Sequence, residues 1–385
     1  MKFLFAPDSF KGTLSSLQVI QILERAARSH FHDLHVIKVP IADGGEGTVE
    51  ALITAMGGEY RYAEVTGPLE GMKVKARYGV SGNTAVIEMA QASGLPLLDR
   101  EKRNPLLTTT YGTGELIRAA LDEGIREYII GIGGSATNDG GMGMAQALGI
   151  AFLDDEGRNV GLGGRYLSEV RRIVPDGLDP RIRECKMTVI CDVSNPLTGP
   201  QGATYVYGPQ KGATKEMLLI LEEGMKNYAE VIRHQLGIDV DRIPGAGAAG
   251  GLGAALTGFL GAVLKPGIDA VMDFIHFDRL LEDVDLVVTG EGRIDGQSVF
   301  GKVPVGVARR CKEKNVPVVA ISGIMGENAQ AVYDYGINSI MTTINRDMPL
   351  EEALSRAEEL LFDAADRMFR LIKAGIAIEN KRLRI

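Results

Sequence analysis

"DLVVTGEGRIDGQS" (285–298) joins a short apolar run to a Gly-rich segment carrying Glu291, Arg293, Asp295, Gln297 and Ser298. The apolar run reads as a buried strand, and the segment after it as a polar loop. The surroundings repeat that unit. A helix is predicted near 303–314, a strand at 316–322, a short helix at 327–335, a strand at 337–343 and a closing helix at 349–373. The closing helix carries Leu350, Leu354, Ala357, Leu361, Ala364, Met368 and Leu371 on one stripe. The same style occurs only once more, at the start of the chain. "KFLFAP" (2–7) reads as a strand, Ser15 or Ser16 caps a helix, "LHVIKVPIA" (34–42) is a second strand, and "GTVEALITAMGG" (47–58) a second helix. Together the two ends supply five strands alternating with helices, which is what a flavodoxin-like parallel sheet of order 2-1-3-4-5 requires.

Between the two ends the pattern changes. Residues 59–88 alternate along their length and turn at glycines, as antiparallel strands do. Helices and strands then alternate to about residue 275, with a long helix near 214–236. The expected architecture is α/β with two domains. A discontinuous flavodoxin-like domain (1–75 and 280–385) is interrupted by an inserted α/β domain (76–279), with the active site in the cleft between them.

Composition narrows the function. Hydrophobic content of 45% and charged content of 24% suit a globular chain, and the net charge of −8 argues against nucleic acid as a partner. Three scattered cysteines without metal-ligand spacing point to a reducing compartment, hence the cytoplasm. The start of the chain is too short in apolar residues for a signal peptide. "GAGAAGGLGAALTGFLGAVL" (245–264) is uncharged, but its Gly/Ala-rich first half and missing aromatic flanks favour tight packing over a membrane span. The five histidines lie outside any polar cluster.

Ligands of open parallel sheets bind beyond the carboxyl ends of the strands, at the switch point of strand order. Three polar loops fall there: "PDSFKGT" with Asp8, Ser9 and Lys11, "ADGGEGT" with Asp43 and Glu46, and the 290–298 segment. The inserted domain repeats the arrangement in "EYIIGIGGSATNDGG", "KMTVICDVSNPLTG" and "PGAGAAGGLGAAL". Glycine permits positive φ and close backbone approach, and successive N–H groups attract phosphate oxygens. Gly133, Gly134, Ser135, Thr137, Asn138, Gly250 and Gly251 are therefore expected to bind a nucleotide. The dinucleotide fingerprint, the P-loop and the common hydrolase motifs are absent.

Taken together, "FAPDSFKGTLS", "ADGGEGT", "GIGGSATNDGG", "CDVSNPLTG", "GAAGGLG" and "VTGEGRIDGQS" resemble the bacterial glycerate kinase family of the glycerate 2-kinase type, over essentially the whole chain. The resemblance implies a restriction-endonuclease-like core in the inserted domain. It also implies ATP-dependent phosphorylation of D-glycerate to 2-phosphoglycerate with Mg²⁺. Chemistry then suggests roles. Lys11 and Arg293 suit the glycerate carboxylate, with Ser9, Asp43 and Glu46 beside it. Asp192, Asp8 or Asp43 could orient the acceptor hydroxyl. Asp139, Asp192, Glu291 and Asp295 are the expected Mg²⁺ ligands. The catalytic set is Asp192, Lys11 and Asp8. A dehydrogenase or a non-enzymatic sensor of small acids is the alternative, and homo-oligomer formation stays open.

Overall fold

The computed structural model describes residues 1–41, 49, 52–53, 57–299 and 301–382, and the side chain of residue 382 is outside that set. Asp43, Glu46 and most of the helix expected at 47–58 lie outside the described residues. In chain order the strands are β1 (Lys2–Pro7), β2 (His35–Lys38), β3 (Glu59–Thr66), β4 (Lys73–Ser81), β5 (Thr84–Glu88), β6 (Glu127–Gly131), β7 (Ala151–Leu153), β8 (Arg172–Val174), β9 (Lys186–Ile190), β10 (Val263–Lys265), β11 (Leu286–Ile294), β12 (Val318–Met325) and β13 (Ser339–Thr342).

The chain divides into two units, Met1–Asp43 with Gly267–Ile385, and Gly44–Pro266. The insertion is thus longer than the 76–279 read from the sequence. The reason is pairing. β3 is bonded antiparallel to β4 from Glu59↔Val80 to Thr66↔Lys73, so it cannot leave that sheet. At the other end, the helix Gly267–Phe274 packs so closely on the helix Val303–Glu313 that a Cβ on Gly306 would lie 2.3 Å from Ile268.

The first unit holds a five-stranded sheet of order β13-β12-β11-β1-β2, parallel throughout. Counted within the unit, this is the 2-1-3-4-5 order. β1 is apolar on both faces, as a strand covered by helices on each side must be. The helix Ser16–Arg28 starts in a capping box: Ser15 Oγ accepts from the Gln18 N–H, and Gln18 Oε1 accepts from the Ser15 N–H. The strand predicted at 34–42 keeps only His35–Lys38, and the short helix near 327–335 is a 3-10 turn, Ala329–Tyr335. β11 runs four residues past Gly290, paired with β12 as far as Ile294↔Met325. Glu291 and Arg293 therefore stand on a strand, not in a loop.

The closing helix breaks in two, Leu350–Ser355 and Ala357–Arg382. Leu350, Leu354 and Leu371 are exposed, and the buried stripe is Leu361, Ala364, Ala365, Met368 and Phe369. Phe369 stacks on Phe3 with centroids 6.0 Å apart and meets Phe31 edge-on at 6.2 Å.

The second unit is built on a six-stranded sheet of order β10-β9-β6-β5-β4-β3. β5, β6, β9 and β10 are parallel, and β3, β4 and β5 antiparallel, as the alternation over 59–88 predicts. Register aligns Glu88 with Gly131, Gly131 with Ile190, and Ile190 with Lys265. The loops after β5, β6 and β9 thus leave one sheet edge side by side. The long helix spans Lys215–Leu236, capped by Thr214 and closed by a left-handed Gly237. The Gly/Ala-rich stretch is a buried helix, Ala248–Leu260, interrupted by left-handed Ala249, Gly250 and Gly251. Among the described residues no helix is long and apolar enough to cross a membrane.

Phe369→Ala should cost about 3–5 kcal/mol of the first unit's stability, because it removes the ring on which Phe3, Phe5 and Phe31 converge. Urea unfolding checks this; a loss below about 1 kcal/mol would show that the ring cluster does not anchor the closing helix.

Candidate active site

In the first unit the switch point lies between β1 and β11. The Asp8 N–H donates to the Gly290 carbonyl at 2.8 Å, which ties the two strand ends together. Asp8 is buried, and its Oδ1 accepts from the Ser9 N–H at 2.6 Å. Lys11 is exposed on a loop that closes on itself through Phe10 and Leu14. Glu291, buried one residue after Gly290, accepts from Ser298 Oγ at 2.8 Å and lies 3.7 Å from Lys302 Nζ. Burial pushes its pKa up to about 7 against the pull of Lys302 and Ser298, and Asp8 and Asp295 push the same way. Asp295 pairs with Arg293 at 3.0 Å, accepts from the Gln297 N–H and lies 3.9 Å from Lys302. Burial works against its charge, yet the Gln297 N–H, Lys302 and Arg293 hold its pKa below the ordinary value. The structure therefore brings Asp8, Ser9, Glu291, Arg293 and Asp295 to one end of one sheet.

Of the expected metal ligands, Glu291 accepts from Ser298 through Oε1, Asp295 is engaged by Arg293 and the Gln297 N–H, and Lys302 lies 3.7 and 3.9 Å from the two carboxylates.

In the second unit the glycine-rich segment after β6 has two layers. Gly133 and Gly134 are exposed, and 135–145 is buried. Gly134 has φ +72, a conformation that costs other residues and turns the backbone outward here. The inner layer is structural. Asp139 accepts from the Thr110 N–H at 2.7 Å, Thr110 Oγ1 at 2.9 Å, Thr109 Oγ1 at 3.3 Å, and the Gly141 and Gly143 N–H groups at 3.2 and 3.3 Å. Burial pushes its pKa up despite these donors. Four of these donors act on Oδ2 and one, the Gly141 N–H, on Oδ1. Thr137 and Asn138 are wholly buried, and Asn138 Nδ2 donates to Thr204 Oγ1 at 3.1 Å. Thr137 Oγ1 and Asn138 Oδ1 are buried without a hydrogen-bond partner among the described residues.

Gly250 and Gly251 are packing glycines. A Cβ on Gly250 would stand 2.0 Å from the Thr137 carbonyl oxygen, and one on Gly251 2.7 Å from Gly140 Cα. Gly140 N–H donates to the Gly250 carbonyl at 2.9 Å, so this kinked helix start backs the segment from behind.

Asp192 is exposed, two residues beyond β9 on the same sheet edge as Gly133. The turn after it is stapled: Tyr207 OH donates to Asn195 Oδ1 at 2.6 Å, and Thr198 donates to Asp241 through both N–H and hydroxyl at 2.8 Å. Two more groups at this edge escaped the sequence reading. Glu88 ends the apolar strand "TAVIE", buried, accepting from the Val49 N–H at 3.0 Å. That strand-end carboxylate carries the same signal as Asp192. Lys211, in "GPQKGAT", is buried with its Nζ on Ser135 Oγ and the Thr137 carbonyl. Its only sequence signal is the pair of glycines at 208 and 212 ahead of a helix cap.

Among the described residues no three His, Cys, Asp or Glu side chains are grouped to hold a metal. An exposed Asp192 suits Mg²⁺, which is held through one or two carboxylates while phosphate and water supply its other ligands.

Residues 3–373 match the model of the glycerate kinase family. The chain is 50% identical to glycerate 2-kinase of Escherichia coli strain K12 over 98% of each chain, and 50% identical to glycerate kinase of Halalkalibacterium halodurans over 94% of this chain and 96% of the other. A crystal structure of a protein assigned as glycerate kinase 2 from Salmonella typhimurium LT2 superposes with a TM-score of 0.89 at 48% identity, covering 98% of this chain and 99% of that one.

Glu291 gives this edge a pH signature. Its proton leaves near pH 4.5 in the unfolded chain and near 7 in the fold, so the fold holds more protons between those values and loses stability as pH rises through that window. Glu291→Gln should flatten this fall when unfolding free energy is followed from pH 4 to 8; parallel curves for the two proteins would contradict it.

Proposed function

Because the chain belongs to the glycerate kinase family, we propose that it moves the γ-phosphoryl group of ATP to the 2-hydroxyl of D-glycerate, releasing ADP and 2-phosphoglycerate. The observation that carries the position of transfer is the 50% identity to the Escherichia coli glycerate 2-kinase across 98% of both chains. The absence of a membrane-crossing helix among the described residues, together with three free cysteines, is consistent with an enzyme of the cytoplasm.

The residues divide the work by chemistry. The exposed backbone of Gly133 and Gly134 receives phosphate oxygens, and Asp192 contributes the carboxylate that holds Mg²⁺ beside them. Bound there, Mg²⁺ would neutralise charge on the phosphate oxygens. Lys11 and Arg293 take the glycerate carboxylate, with Ser9 as a hydroxyl partner. The Asp8–Glu291 pair accepts the proton that leaves the 2-hydroxyl as the new O–P bond forms and the bond to ADP breaks. A carboxylate whose pKa burial has raised toward neutrality is suited to that task. Asp43 and Glu46 remain sequence-based candidates for the glycerate end.

Incubation with Mg-ATP and D-glycerate, followed by phosphorus NMR, identifies the isomer. A 3-phosphoglycerate product would refute the position of transfer, and no product would refute the activity. Asp192→Asn keeps size and most hydrogen bonding but removes the charge. It should lower kcat by about 10²-fold or more, with partial recovery in Mn²⁺. A near-normal kcat would remove Asp192 from the reaction, and a loss that Mn²⁺ leaves untouched would make it a base.

A further inference from the structure

The scheme above leaves out one buried charge. Lys211 ends the 3-10 turn Pro209–Lys211 and is 1% exposed. Its Nζ donates to Ser135 Oγ at 2.7 Å and to the Thr137 carbonyl at 2.6 Å. Both acceptors are neutral. They replace water as hydrogen-bond partners, and the counter-charge acting on this ammonium is the buried Asp139 carboxylate, which makes no hydrogen bond to it. A buried ammonium without a direct ion pair is costly, and an anion that arrives nearby compensates it further. The turn that delivers it is fixed. Gly212 has φ +93, and a Cβ there would stand 2.4 Å from the Arg103 carbonyl. The acceptors it holds lie directly after Gly133 and Gly134, the exposed part of the segment.

We propose that Lys211 is a positioning residue of the nucleotide site: its ammonium clamps Ser135 and Thr137 from inside the protein and lends the Gly133–Gly134 tip the positive charge that retains a phosphate group. This rests on the reading of that tip as the phosphate-binding segment. The clamp has a second consequence. Burial has already pushed the lysine's pKa down to about 7. The groups around it are Asp139, whose charge favours the ammonium, the Arg103 segment against Gly212, and the buried Tyr228 hydroxyl near Asp139. A bound phosphate group adds negative charge and favours the ammonium further, so binding above neutral pH takes up a proton.

Calorimetric titration with MgADP and with adenosine, from pH 6.5 to 9, tests this. The wild type should lose MgADP affinity above pH ~7, by at most about tenfold per pH unit, while adenosine affinity stays level. Lys211→Met should abolish that slope and weaken MgADP about tenfold or more at pH 6.5, with adenosine unaffected. A lysine that merely supports the fold would weaken both ligands alike, and that result overturns the proposal. So does a folded Lys211→Met variant that keeps the slope. If this variant does not fold, the wild-type profile decides: a level MgADP affinity overturns the proposal. Gly134→Val separates the two readings. Unchanged MgADP binding in Gly134→Val refutes the tip as the phosphate-binding segment. Lost binding there, with a level wild-type profile, refutes Lys211 alone.

Discussion

A buried carboxylate organises the segment on which the nucleotide reading depends. Asp139 has no contact with water, so its charge is tolerable only through the N–H and hydroxyl groups aimed at it from Thr109, Thr110, Gly141 and Gly143. Satisfying it fixes the entry to the helix Tyr111–Asp122 and the entry to the helix Met142–Ala147 at once. Glycine is required at 143 because a Cβ would stand 2.1 Å from Thr109 Oγ1 and 3.0 Å from Asp139 Oδ2. The glycine content of 131–149 thus has two causes. Some residues clear space around an interior charge, and the adjacent pair at 133 and 134 faces outward.

The first unit solves a different problem. Five parallel strands put their carboxyl ends together, and the reversal of strand order between β1 and β11 opens a gap between the loops that follow them. Asp8 and Glu291 fill that gap as neighbours that repel each other, with Lys302 as the nearby cation. Burial raises the Glu291 pKa to about 7, and the nearby Asp8 pushes the same way.

Short-range signals are legible in the sequence. β1 begins and ends where its apolar run does, and the Ser15–Gln18 box marks the following helix. The 2-1-3-4-5 order followed from counting strands across the interruption. What failed was set by distant partners. β11 outruns "DLVVTG" because β12 is there to bond it, and β3 leaves the first unit because β4 holds it. At the site, polarity does not mean exposure. Thr137, Asn138 and Asp139 look like ligand groups among glycines, yet they are the buried frame. Lys211 is the opposite error, since a lysine gives no sign in sequence that it is interior.

The interrupted first sheet also sets an order of events during synthesis. Thr289 Oγ1 donates to the Ala6 carbonyl across 283 residues of chain, and β1 lies beside β11 over the same span. At roughly 5–20 residues per second, a ribosome needs about a quarter of a minute to a minute to deliver that partner. The whole of the inserted unit emerges within this interval, with its sheet pairing complete in itself. β1 and β2, meanwhile, can pair only with each other, and the apolar edge of β1 stays uncovered. The nascent chain is therefore most open to wrong strand pairing at its oldest segment.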